Sequence, residues 1–434
     1  MANGKSSKRK PTINFRSIAS IVNLFSLHPK LKFKVYTAVT LIAVAVLPWN
    51  ATALNRPEVN LLPKASVLAS TKTEDLIVKS LMQISSGQID SALATLDQVI
   101  AATPNFKLAH LVKGDLLMAR GLQFQGFGSP NPNSEDVAGY RDEARKRIER
   151  YLDKDSNNLI PEPIWQLDRS QPYIFVVDAD KSRLFVYRNE NGTPQYNADF
   201  YVTIGKNGSE KKYAGDKRTP LGVYFTSTKL TQKLADMYGD AAYPLSYPNE
   251  WDRREGKTGS GIWLHGTPHD TFSRAPQSSD GCVVLSNQDL NTLTPILQQG
   301  NVPVIVSKGM EWLKPNQTPK DKQALLERVE TWRRDWESQE TEVYLNHYAK
   351  SFSNGSLDLN HWAEEKRRIQ ASKPKVDIKL SNLSILRYPN SELPMAVVTF
   401  DQDFHSNVLD SQMRKRQYWI FENQQWKIIY EGAA

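Results

Sequence analysis

The sequence has one cysteine, Cys282, no acidic residue ahead of Glu58, and no apolar stretch as long as the roughly 20 residues that a membrane-spanning helix needs. A lone cysteine excludes an internal disulfide framework, so the thiol is either an inert buried group or one kept for chemistry. The absence of early acids leaves Lys5, Lys8, Arg9, Lys10, Arg16, Lys30, Lys32 and Lys34 uncompensated, and these cations account for the whole net charge of +8. The rest of the chain is balanced, so its high isoelectric point does not indicate a nucleic-acid partner.

The basic start leads into an apolar run at 35–49, broken by Pro48 near its end and followed by Ala51-Thr52-Ala53, the small-x-small pattern that a signal peptidase reads. Residues 1–53 are expected to be an export signal, cleaved after Ala53 or retained as a membrane anchor with its basic side in the cytoplasm.

Residues 66–155 read as helical. Leu76, Ile77, Leu81 and Ile84, then Ala92, Leu93, Leu96, Val99 and Ile100, then Leu108, Ala109, Val112, Leu116 and Leu117 recur at spacings of three and four, punctuated by Gly87 and Pro104. The stretch SALATLDQVIAATPNFKLAHLVKGDLL resembles a tetratricopeptide unit. With fewer repeats than a self-standing solenoid needs, it is expected to be an appendage. A further amphipathic helix carries Ala144, Ile148, Tyr151 and Leu152.

From Tyr173 the period shortens. YIFVVDADKSRLFVYRN reads as a hairpin, and PQYNADFYVTIGKNG, KRTPLGVYFT, GIWLHGT, CVVLS and VPVIVS add short strands with turn signals and no helical pattern between them. Residues 172–307 are therefore expected to be a mainly β domain rather than a parallel βαβ sheet. A polar connector at 309–330 precedes Val329, Trp332, Trp336, Tyr344, Tyr348 and Phe352 at helical spacing, and three long strands close the chain. Helices followed by antiparallel strands over residues 325–434 resemble the α+β cone of the nuclear-transport-factor-2-like (NTF2-like) superfamily. The tail offers no matched pair of acidic or histidine residues, so no catalysis is expected there. Its aromatics (Trp332, Trp336, Tyr418, Trp419, Trp426) are read as core.

The chemistry concentrates between two short motifs. Gly261-Ile-Trp-Leu-His265-Gly266-Thr267-Pro268 ends a strand, and 17 positions after His265 the only cysteine follows Ser278-Ser279-Asp280-Gly281. A thiol with a free pKa of about 8.5 needs a base to act as a nucleophile at neutral pH. Of seven histidines only His265 and His269 are near Cys282 in sequence, and the end of an apolar strand orients an imidazole better than the Pro-Asp loop that holds His269. His265 is the expected base, oriented by the Gly266 backbone carbonyl, with the side chains of Ser279 and Asp280 as weaker alternatives. Backbone N–H groups at Asp280, Gly281 and Cys282 are candidate donors to an oxyanion. A zinc site from His265, His269 and Cys282 with Asp270 or Asp280 is the competing reading, disfavoured by the lack of a second cysteine or a local ligand pair.

These residues resemble the L,D-transpeptidase catalytic domain of the YkuD type, whose motif is a His-Gly, a gap of about this length, and Ser-x-Gly-Cys. The upstream segment ending in Thr219-Pro220-Leu221-Gly222-Val223-Tyr224 matches the family's Thr-Pro-x-Gly-x-Tyr strand. The resemblance implies a β-sandwich, an exported protein of the periplasm, and acyl transfer on peptidoglycan stem peptides without metal or organic cofactor. Cys282 would form a thioester at the L-centre of diaminopimelate, with His265 taking and returning the proton, Gly281 and Cys282 N–H groups binding the oxyanion, and Ser279, Asp280 and Arg274 contacting substrate. The sequence departs from the cross-linking members, which carry a histidine before Gly-Cys and an arginine soon after it, where this chain has Asp280 and Val283-Val284. Ser-Asp-Gly-Cys with a cone-like tail resembles a subgroup that includes L,D-carboxypeptidases of helical bacteria and amidases that detach lipoprotein from the wall. The expected function is thus a cysteine L,D-transpeptidase in wall remodelling and cell shape. A hydrolase of the same fold acting on stem peptides or a wall-linked lipoprotein is the alternative, and a non-enzymatic wall scaffold a third. The sequence leaves the oligomeric state open.

Overall fold

The computed structural model describes residues 64–121, 126–128, 133–371, 375–407 and 409–434. The expected signal or anchor at 1–53 lies outside them. Among the described residues no helix is long and apolar enough to cross a membrane. The chain divides into two compact units, residues 1–145 and 146–434.

In the first unit the helices Lys64–Ser85, Ile89–Ala102 and Lys107–Arg120 follow one another closely. Gly87, at φ 73°, makes the first turn in a conformation that costs glycine little. Leu93, Leu96, Val99, Leu108, Ala109, Val112 and Leu116 are buried, as their spacing predicts, whereas Leu117 faces solvent.

The second unit contains two five-stranded sheets packed on each other. In the first, the spatial order is Thr193–Tyr201, Arg183–Glu190, Tyr173–Asp178, Pro303–Ser307, Gly222–Phe225. The pairing of Pro303–Ser307 with Tyr173–Asp178 is parallel and the others are antiparallel. A parallel pair needs a crossover, and the helix Asn287–Leu297 lies within it. The sequence reading, which found no helical pattern between these strands, missed this helix, which holds Pro295 in its last turn. Its apolar positions Leu290, Leu293, Ile296 and Leu297 nevertheless keep helical spacing and are buried, and Ser286 caps its start by accepting from the Asp289 N–H.

In the tail sheet the order is Gln425–Ala433, Asp410–Glu422, Met395–Ser406, Val376–Arg387 and then Ile164–Gln166, a strand that precedes the first sheet in sequence. Strand alternation divides the tail residues between two cores. Ala396, Val398 and Phe400 join Trp332, Trp336, Trp362, Trp419 and Trp426 beneath the tail's own helices. Met395 and Val397 join Leu386, Tyr388, Tyr418 and Ile420 against Ile174, Val176, Phe185, Tyr187, Val223 and Ile305 of the first sheet. The shared core is rimmed by polar links: Tyr418 donates to Glu250 (2.9 Å), Asn249 donates to the Tyr388 hydroxyl (3.2 Å), and the Asp168 N–H donates to Ser384 (2.8 Å).

Two tail expectations need correction. The helix Lys322–Glu337 starts inside the stretch read as a polar connector, and Trp312–Leu313 within that stretch pairs with Ile160–Pro161. The tail also does hold matched polar pairs: His347 Nε2 meets Asp335 at 2.6 Å, and buried Glu431 accepts from Lys415 at 2.7 Å and from Tyr348 at 2.9 Å. These partners stand 12, 16 and 83 positions apart in sequence and are brought together by the fold.

Candidate active site

The strand Trp263–His265 lies between Ala242–Pro244 and Val283–Val284. The pairing with Val283–Val284 is parallel, with Val283 opposite Leu264 and Val284 opposite His265. One residue further back this register sets Cys282 beside Trp263, on the same face as His265 two positions on. The loop between the two motifs therefore returns the thiol to the imidazole's side of the sheet. The backbone N–H of Trp263 bonds the sulfur, and the thiol donates to the Gly261 carbonyl at 3.4 Å.

His265 is 3% exposed. Its Nδ1 stands 2.7 Å from the Gly266 carbonyl oxygen, and because a carbonyl only accepts, Nδ1 carries the hydrogen and Nε2 the lone pair. Gly266 is held in turn, its N–H donating to the Tyr238 carbonyl at 3.0 Å. A Cβ at Gly266 would collide with Asn287, whose side chain donates to the Thr267 carbonyl (2.8 Å) and accepts from the Asp240 N–H (3.0 Å). Burial pushes the imidazole pKa down to about 4, a trend the Gly266 carbonyl opposes and Arg274 reinforces. Burial raises the Cys282 thiol, as does Asp280, against the Trp263 N–H, Lys211 and Arg274. At neutral pH the resting pair is thus an uncharged thiol beside an uncharged imidazole.

The turn that presents Cys282 is clamped on both of its flanking peptide planes. Thr219, fully buried, donates its hydroxyl to the Gly281 carbonyl (2.9 Å) and accepts from the Gly205 N–H (2.9 Å). Ser279, also buried, donates to the Cys282 carbonyl (2.7 Å) and accepts from the Gly281 N–H (3.1 Å). Gly281 has φ 124°, and a Cβ there would come within 2.8 Å of the Arg218 carbonyl, so both backbone angle and space require glycine.

Two expectations change here. Ser279, read as a substrate contact, has its hydroxyl engaged on both sides within the turn. The Gly281 N–H, read as an oxyanion donor, is engaged by Ser279. Arg274 is half-buried, donates to the Ser278 carbonyl (2.6 Å), and carries its charge near Asp280 and Cys282. Asp280 is exposed at the rim, 3.7 Å from Lys217. His269 turns outward to Asp236 and Asp240. Among the described residues no three His, Cys, Asp or Glu side chains are arranged to hold a metal ion.

Sequence reasoning missed the buried Lys211–Asp216 pair (2.7 Å) beside the site. Burial alone would raise the Asp216 carboxyl. Lys211 and the N–H groups of Lys212, Tyr213 and Arg218 outweigh it and hold the group below the usual range. The spacing Lys211-x4-Asp216 in a glycine-rich loop was the available signal, but surface loops commonly carry such charges. Thr219 was visible as part of a motif, without the role its contacts reveal.

Residues 172–306 match the L,D-transpeptidase catalytic domain, YkuD, and residues 324–432 match the Cds6 C-terminal NTF2-like domain. The chain thus combines a sheet-rich YkuD catalytic domain and a C-terminal NTF2-like domain with N-terminal helices. Among solved structures it is similar to Bd1075 of Bdellovibrio bacteriovorus, at 28% identity over 64% of this chain and 98% of that one with a TM-score of 0.56. It is also similar to the helical cell shape determining protein Pgp2 of Campylobacter jejuni, at 26% identity over 63% of this chain and 95% of that one with a TM-score of 0.55. None of the curated proteins compared matches the chain.

Proposed function

We propose that this protein is an exported cysteine acyltransferase acting on peptidoglycan stem peptides, with Cys282 as nucleophile and His265 as general base and acid. The observation that carries the reading is the Nδ1 contact to the Gly266 carbonyl, which leaves a lone pair on Nε2 of an imidazole that stays neutral at physiological pH. The basic and apolar start of the sequence supports export to the periplasm. The likeness to a cell shape determining protein supports a wall substrate.

Nε2 takes the thiol proton as the sulfur adds to the carbonyl at the L-centre of diaminopimelate, and the carbonyl π electrons move onto oxygen. The Cys282 N–H donates to that oxyanion. Collapse of the adduct breaks the bond to D-Ala, His265 returns the proton to the departing amine, and a thioester remains. An amine from a second stem then yields a cross-link, whereas water yields a trimmed peptide. The carboxylate of Asp280 at the rim, where cross-linking members carry histidine, favours a second reading in which the acceptor is water and the enzyme is an L,D-carboxypeptidase or a lipoprotein amide hydrolase.

Mass spectrometry of tetrapeptide muropeptides and a lipoprotein-linked muropeptide, incubated with the protein and its Cys282→Ala variant, tests both readings. Cysteine-dependent dimers linked between two diaminopimelate residues establish the transpeptidase, loss of D-Ala without dimers the carboxypeptidase, and release of the lipoprotein end the amidase. No change in any substrate would replace catalysis with a scaffold role.

A further inference from the structure

A trans peptide unit is planar, with its C=O and N–H pointing in opposite directions. The unit joining Gly281 to Cys282 therefore aims the Cys282 N–H away from whatever holds the Gly281 carbonyl. That holder is the Thr219 hydroxyl, at 2.9 Å and fully buried. Thr219 cannot easily release it, because the same oxygen accepts the Gly205 N–H and the β-branched side chain has few rotamers. The next carbonyl, that of Cys282 itself, is fixed by Ser279, and the Ser279 carbonyl accepts the Lys206 N–H at 2.6 Å. Of the candidate donors at Asp280, Gly281 and Cys282, the Gly281 N–H is engaged by Ser279, and the Cys282 N–H is the one whose own peptide plane Thr219 holds.

We propose that Thr219 is a positioning residue for the acyl-transfer step: by clamping the Gly281 carbonyl it directs the Cys282 N–H at the oxyanion that forms when the thiol attacks. This rests on the acyl-transfer reading above. Thr219 touches neither the sulfur nor the imidazole through its hydroxyl, so it acts through the peptide plane and leaves the basicity of the pair alone.

Two reactions of the same thiol separate these roles. Alkylation by iodoacetamide displaces iodide at a saturated carbon and forms no oxyanion, whereas acylation by a carbapenem or a stem tetrapeptide passes through one. In the full chain, Thr219→Val is expected to keep the rate and pH profile of Cys282 alkylation within about twofold while slowing acylation on the order of 10- to 100-fold, chiefly in the rate constant rather than in half-saturation. Thr219→Ser, which keeps the hydroxyl, is expected to recover most of the loss. If the valine variant does not fold, Thr219→Ala carries the same comparison.

Equal slowing of alkylation and acylation would overturn the proposal, because it would mean that the thiol itself had been misplaced. So would wild-type acylation that the valine or alanine variant preserves. A wild-type protein that is alkylated but never acylated by either carbonyl electrophile would instead bring down the acyl-transfer reading, and the proposal with it.

Discussion

The ring of Tyr238 stands edge-on to the His265 imidazole, with centroids 5.1 Å apart and planes at 77°, and also lies tilted against Trp263 at 4.9 Å. The phenol ring helps to keep water from the imidazole, whose desolvation is the main cause of its low pKa. Acyl transfer is therefore expected to persist well below pH 6.5, with its acid limb near pH 4. In the Tyr238→Ala variant that limb should move toward pH 6.5. Measured pH profiles of kcat/KM would contradict this account if both proteins lost activity together near pH 6.5.

The same histidine sets a pH dependence of stability. The unfolded chain protonates near pH 6.5 and the folded one only near pH 4, so the stability associated with the neutral form is complete above pH 6.5. It declines as the pH falls toward 4, by on the order of 3 kcal/mol for this group. Chemical denaturation of wild type and His265→Gln across this range should show a shallower slope in the variant.

Burial raises the thiol pKa, and Asp280, exposed at the rim 3.7 Å from Lys217, adds to the rise. Asp280→Asn is expected to lower the thiol pKa and speed alkylation at pH 7 by about two- to fivefold, less so in high salt. A slower or unchanged rate would show that the carboxylate does not act on the sulfur.

Much of this site was legible in the sequence because its chemistry sits in contiguous motifs. The pairing of His265 with its own neighbour Gly266, and the glycine before Cys282, are local features that spacing exposes. What stayed hidden is non-local. The ties of Thr219 to Gly281, of Tyr238 to His265 and of Asp335 to His347 depend on how strands and loops converge. The helix Asn287–Leu297, with a proline in its last turn, was missed, although its buried positions keep a helical period. The division of tail residues between two cores was unreadable because a strand buried on both faces reads as one apolar run, with nothing to say what each face meets.

Lys211 and Asp216 are almost completely buried, so removing the ammonium leaves a buried carboxylate with only its backbone N–H donors. Lys211→Met is expected to destabilise the protein by about 3 kcal/mol and to loosen the loop that carries Thr219. Thermal unfolding together with the alkylation rate of Cys282 would check both effects. An unaltered melting temperature would mean that the ion pair contributes no net stability.

Leu386 is a tail residue in the core shared with the first sheet, 2% exposed. Leu386→Ala is expected to cost about 2–4 kcal/mol. Because that core joins both sheets, tail tryptophan fluorescence and Cys282 accessibility should report one shifted transition. Two separated transitions would show that the sheets unfold independently.

The strand Ile164–Gln166 lies before the first five-stranded sheet in sequence and at the margin of the tail sheet in space, where the Asp168–Ser384 hydrogen bond spans 216 positions. During synthesis this strand and the outer face of the first sheet emerge long before the partners that cover them. Until the last strands arrive, that face stays open, a vulnerable interval for aggregation and proteolysis. A chain broken off before its final hairpin would thus carry every residue of the thiol site and still lack Tyr418, Ile420 and Ile429, which complete the seal over the sheet behind it.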